Sequence, residues 1–256
     1  MWGELRRWRG VLLIGVISIG TVWLAVTNRL VLYIHPRYVV FTVIMAIVAL
    51  AFVVARVLIS GRREHDGHAH DEDDALDDRP LQRVLSAGAL LLAGVLALGA
   101  VLLPPATLSA ATASQRDITA AQADPDAASL DEASTADSAT FLRYSVLEWS
   151  SLLAQSSEPA FFAGKPADVV GFVTPDPDAD DVFYVSRFMI TCCAVDAQPI
   201  GIPVYLPDWQ TRFQPDDWVE VTGEFAANRS ATSTVPIALD PAEVTGVDAP
   251  ADPYLY

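Results

Sequence analysis

The stretch DVFYVSRFMITCC, residues 181–193, is the longest strand-like run in the second half of the chain. Val182, Tyr184, Ser186, Phe188 and Ile190 recur at every second position, the spacing of side chains on one face of a strand. Similar runs stand on either side. ADVVGFV (167–173) ends at a TPDPDADD turn, and IGIPVYL (200–206) follows Gln198-Pro199. DWVEVTGEF (217–225) alternates Trp218, Glu220 and Thr222 with Val219, Val221 and Gly223. TVPIAL (234–239) and AEVTGV (242–247) are separated by Asp240-Pro241. Five or six short strands joined by turn residues predict an all-β domain over residues 141–256, an OB-like small barrel. A flanking amphipathic helix is expected over FLRYSVLEWSSLLAQS (141–156), where Phe141, Tyr144, Leu147, Leu152 and Leu153 recur at helical spacing.

The central run ends in the sharpest local feature, RFMITCCAVDAQP (187–199). In a regular strand, neighbouring side chains point to opposite faces, so Cys192 and Cys193 share a ligand only if the strand bends there. Asp196 is then the nearest further ligand. Four readings stay open: a cysteine packed as a small apolar residue, metal ligation with Asp196 (zinc being the candidate cofactor), reversible thiol redox, and a mixed disulfide with a partner. Arg187 lowers a nearby thiol pKa if it reaches back; otherwise it faces solvent or pairs with an acid. Asp176, Asp178, Asp180 and Asp181 form a further acidic turn without the pattern of a calcium loop.

Upstream, residues 104–140 are small, polar and acidic, with no apolar periodicity, and read as a disordered linker. Before it stand three apolar runs: Val11–Val26, Tyr38–Ile59 and Val84–Leu103. A hydrocarbon core about 30 Å thick needs roughly 20 helical residues, so residues 1–103 are expected to form a helical membrane domain of three spans. No small-residue cleavage site follows the first run, which favours a span over a signal peptide. Arg6, Arg7, Arg9, Arg56, Arg62, Arg63, Arg79 and Arg83 lie at the N-terminus or around the 60–83 loop. The positive-inside rule places both in the cytoplasm and the C-terminal domain outside it, as part of a multi-pass protein of the cell membrane.

Two further motifs fall in this half. His35-Pro36-Arg37 sits in the turn between the first two runs, where His35 is either a ligand or a polar turn residue and Pro36 restarts a helix. EHDGHAHDEDDALDD crowds His65, His68 and His70 among carboxylates in the 60–83 loop. Such tracts can bind zinc, although the spacing lacks the framing of a closed structural site.

Charge separates the halves. Residues 1–103 hold 10 Arg against 9 Asp/Glu, whereas residues 104–256 hold 6 Arg/Lys against 23 Asp/Glu, a net charge of −17. That balance repels phosphates and excludes nucleic acid as a partner for the β domain. Two cysteines in the whole chain cannot build a disulfide framework.

The phrases Leu32-Tyr33-Ile34-His35-Pro36-Arg37, Arg187 through Pro199, and Asp217-Trp218-Val219 with Val221 and Gly223, together with the His/Asp-rich loop, resemble an uncharacterised bacterial family. Its YcgQ-like members are described as subunits of a two-component membrane permease complex. The resemblance runs nearly the full length, the linker excepted. It implies a partner permease with many spans, and it supplies neither a substrate nor a catalytic residue. The function expected is a non-enzymatic accessory subunit of a transport complex, whose outer domain docks the partner or captures substrate. The alternative is a membrane-anchored metal- or thiol-redox-sensing module acting through Cys192 and Cys193.

Overall fold

Pro36 opens the longest helix among the described residues; lacking an N–H and fixed near helical φ, proline suits a first helical position. The computed structural model describes residues 2–62, 107–115, 118 and 128–256, in two units, Met1–Ala106 and Thr107–Tyr256. In the first unit, helix α1 (Trp2–Val26) ends before Asn28, which takes the left-handed conformation that asparagine tolerates. A 3-10 turn at Leu30–Leu32 leads into α2 (Pro36–Arg62). The two helices pack together where Gly15 faces Val53. Ile17, Phe41, Ile44 and Phe52 remain more than half exposed, an apolar surface suited to lipid.

Three spans are not upheld. Among the described residues one helix segment, Pro36–Arg56, is long and apolar enough to cross a membrane, with 21 residues at a mean hydropathy of 2.8. The apolar part of α1 is only Gly10–Val26. Glu4, Arg6, Arg7 and Arg9 occupy its first turns, so helix length exceeds apolar length. The third run, Val84–Leu103, and the His65, His68 and His70 loop lie outside the described residues.

The second unit begins inside the stretch expected to be a linker. Ala110–Ala113 (α3), Leu130–Thr135 (α4) and Ser138–Phe141 (α5) are short helices, and Ala110, Ala113 and Ala133 are buried. Small residues do not make a linker when they are the size a tight contact requires. Ser129 and Glu132 form a capping box, so the polar residues of this stretch also satisfy helix ends. A second box, Ser145 with Glu148, starts α6 (Val146–Gln155) and splits the single helix expected over 141–156. Helix α7 (Pro159–Phe162) follows.

Six strands complete the unit: β1 (Pro166–Pro175), β2 (Val182–Met189), β3 (Gln198–Tyr205), β4 (Trp218–Ala227), β5 (Ile237–Gly246) and β6 (Tyr254–Leu255). Their order is β1-β4-β5-β3-β2-β6, with β1 also paired to β2. β2–β6 and β3–β5 are parallel, and the other pairs antiparallel. The expected all-β, OB-like barrel thus gives way to a mixed six-stranded sheet flanked by helices. Strand periodicity and turn residues report where strands lie, not which way they pair, and Tyr254–Leu255 is too short to show a period.

β5 also runs through Asp240-Pro241 as one strand rather than two. A register shift between Thr222 and Gly223 lies opposite, at the kind of irregularity where a residue lacking an N–H is tolerated. Gly223 is required there, because a Cβ would strike the Asp240 carbonyl. The main core joins Val169, Phe183, Val185, Ile200, Ile202, Val219 and Val221 to Trp149 and Leu152 of α6. Tyr184, Ser186 and Phe188, on the other face of β2, are also buried. The C-terminal residues, Leu108 and Ile118 reach that side: the Leu108 N–H donates to the Tyr254 hydroxyl, Ile118 lies against Gly201, and β6 lies beside β2. A strand covered on both faces loses its polar alternation, which is why Val182–Val185 and Phe188–Ile190 are apolar at every position.

Candidate functional site

β2 stops at Met189 and β3 begins at Gln198, its register partner. The connection between them holds Cys192, Cys193 and Asp196. Three consecutive backbone N–H groups donate to the Asp196 carboxylate: Thr191 to Oδ1 at 3.2 Å, and Cys192 and Cys193 to Oδ2 at 2.8 and 3.3 Å. The Asp196 N–H in turn donates to the Cys193 carbonyl at 3.0 Å, closing a turn. One aspartate therefore folds the chain around its own side chain, and strand alternation no longer applies to the two cysteines.

The two sulfurs and a carboxylate oxygen of Asp196 all lie within 4.8 Å of one another. This is the single such group of three potential ligands among the described residues. Both cysteines are thiols, not joined to each other. Cys192 is exposed and Cys193 half-buried, so neither is packed as a small apolar core residue.

Arg187 does something the sequence did not indicate. It neither faces solvent nor pairs with an acid through its side chain. Its Nε donates to the Pro253 carbonyl at 3.0 Å, and Nη2 donates to the Asp252 and Tyr254 carbonyls. The guanidinium also lies 5.5 Å from the Trp218 ring centroid. Burial pulls its pKa below the usual arginine value, while the Asp252 carboxylate works in the opposite direction. Arg187 thus holds the C-terminal residues onto β2. Next in line, the Ile190 N–H donates to the Leu255 carbonyl at 2.9 Å, at the start of the cysteine loop.

The other candidates separate. His35 Nδ1 accepts the Arg37 N–H at 3.1 Å and its ring meets Tyr38 edge-on, an N-terminal cap on α2 just before Pro36. Asp176 accepts N–H groups of Asp178 and Ala179 and the Ser233 hydroxyl, and Asp181 accepts the Ser230 hydroxyl. These aspartates organise turns. A cavity of about 690 Å³ beside Tyr184, lined by Ala110, Ile118, Asp176, Asp216 and Thr234, escaped notice in the sequence because 107–118 looked like linker. Its only local signal is Ile118, an isolated large apolar residue.

Residues 8–119 match the DUF1980 N-terminal domain and residues 126–256 match the DUF1980 C-terminal domain. A Streptococcus mutans protein named "Putative two-component membrane permease complex subunit" is 29% identical over 100 residues, 38% of this chain. The match spans about a third of that relative's length, 36%. Two solved structures, OBody AM2EP06 and OBody AM1L10, each bound to hen egg-white lysozyme, are 22% and 19% identical. They cover 35% and 37% of this chain, and 85% and 89% of their own, each with a TM-score of 0.23.

Proposed function

Because this chain belongs to the DUF1980 family, with its N-terminal and C-terminal domains in succession, we propose that it is a subunit of a membrane permease complex. The observation that carries this reading is the name of the Streptococcus mutans relative. The apolar helix segment Pro36–Arg56 supports a place in the membrane. The partner is a multi-span permease, and this chain is its non-catalytic accessory. A polar transport route needs ionisable groups within the membrane, and Pro36–Arg56 carries them only at its ends, at Arg37 and Arg56. The C-terminal domain has no histidine. Its one lysine, Lys165, donates to the Phe161 carbonyl and lies 4.0 Å from that ring's centroid, an arrangement of packing rather than of a general base.

A multi-span membrane protein is expected to co-purify with the tagged chain from native membranes in mild detergent, at a fixed ratio. Recovery of the chain alone across several mild detergents would sink the reading.

The C-terminal domain docks the partner or captures substrate outside the cytoplasm. Charge supports that side: the 60–83 loop carries four arginines, whereas the first basic residue after Leu103 is Arg116. A reporter active only outside the cytoplasm, fused after Tyr256, is expected to be active, and one fused within 60–83 inactive. The reverse pattern overturns the orientation.

A further inference from the structure

We propose that the loop from Ile190 to Ala197 binds a thiophilic divalent cation of the zinc class, held by the Cys192 and Cys193 thiolates and the Asp196 carboxylate. The proposal rests on the C-terminal domain's own geometry and stands whether or not the permease reading does. The donors already converge within 4.8 Å. Two thiolates on a tetrahedral zinc stand about 3.8 Å apart at Zn–S distances of about 2.3 Å, so a closing movement of about 1 Å suffices. The loop can supply it, since Cys192 is exposed and the loop lies between the end of β2 and the start of β3.

Asp196 is oriented for the purpose. Metal-binding carboxylates are held by hydrogen bonds behind them, and here three backbone N–H groups fix the side chain while one lone pair, on Oδ1, stays available. The donor set also selects. Sulfur favours zinc-like ions, whereas calcium takes six to eight oxygens and magnesium an oxygen octahedron, and this loop offers one carboxylate. Three protein ligands leave a fourth position for water or an incoming donor, as suits a site that exchanges its ion. Binding moves no electrons: two thiol S–H bonds are replaced by two S–metal bonds, and two protons leave to solvent. Affinity therefore falls as pH drops.

Co2+ titrated into the reduced full chain in detergent tests this. The only two cysteines of the chain are Cys192 and Cys193, so any sulfur-to-cobalt charge-transfer band reports this loop, whatever His65, His68 and His70 hold. The expected result is a band that saturates at one ion per chain. Zn2+ bleaches it, and excess Mg2+ or Ca2+ does not. Cys192→Ser and Cys193→Ser each abolish most of it. Asp196→Asn keeps a side-chain oxygen for the loop N–H groups but loses the charge, and weakens Co2+ binding at least about tenfold. Cys192 is exposed, so Cys192→Ser leaves the fold intact and decides the matter even if Asp196→Asn loosens the loop. Absence of the band, or half the band in each single-cysteine variant, overturns the site. An unchanged affinity in a folded Asp196→Asn protein removes the carboxylate from it.

Discussion

Trp149→Ala is expected to lower the stability of the C-terminal domain by about 3–5 kcal/mol, the range for deleting a large buried aromatic. Trp149 is fully buried. Its ring lies 4.5 Å from Phe225 on β4, 5.6 Å from Phe141 and 5.5 Å from Tyr144, centroid to centroid. With Val146 and Leu152, it is one of the contacts through which α6, the turn before it and the sheet share one core. Its indole N–H has no hydrogen-bond partner among the described residues, so what is lost is packing. A domain of this size has only about 5–15 kcal/mol of stability in total, so the variant approaches unfolding. Denaturant unfolding of the full chain in detergent, followed by near-ultraviolet circular dichroism, measures the loss. A decrease under about 1 kcal/mol would mean that α6 docks independently of the sheet.

Trp149 also illustrates what the sequence shows. The helix carrying it was legible from its apolar spacing, yet the Ser145–Glu148 capping box that breaks it from Phe141 was read through, because apolar period alone does not see caps. Strand positions were legible because β1 and β4 alternate buried and exposed residues through much of their length. Strand direction was not. β3 and β5 meet in parallel at one residue pair, Val204 with Leu239, which leaves no mark in either sequence. In the cysteine loop the ligand types were legible and their convergence was not, since that depends on backbone N–H groups that every residue carries. Small residues mislead within the 104–140 stretch, where Ala110, Ala113 and Ala133 are buried rather than part of a loose chain.

Arg187→Ala is expected to cost about 3 kcal/mol and to free the C-terminus. A charged donor in a hydrogen bond contributes about 1.5–3 kcal/mol, and removing it leaves several carbonyls unsatisfied at once. Those carbonyls belong to Asp252, Pro253 and Tyr254, a segment also held by the short pairing of Phe188 with Tyr254 and Met189 with Leu255, by the Leu108 N–H on the Tyr254 hydroxyl and by the Ile190 N–H on the Leu255 carbonyl. Two paired residues are too few to hold a strand alone. Amide hydrogen exchange measured by mass spectrometry should therefore speed up over residues 250–256 and at Ile190, whose N–H donates to the Leu255 carbonyl. Arg187→Lys separates charge from shape. Lysine keeps the positive charge but presents it as a point, whereas the guanidinium fork reaches three successive carbonyls and lies over Trp218. Lysine should restore only a small part of the protection. Full protection with lysine would show that charge alone holds the C-terminus, and exchange confined to residues 250–256 would detach Arg187 from the cysteine loop. With Ile190 loosened, the loop pays its ordering entropy on binding metal, so Co2+ affinity should fall in Arg187→Ala.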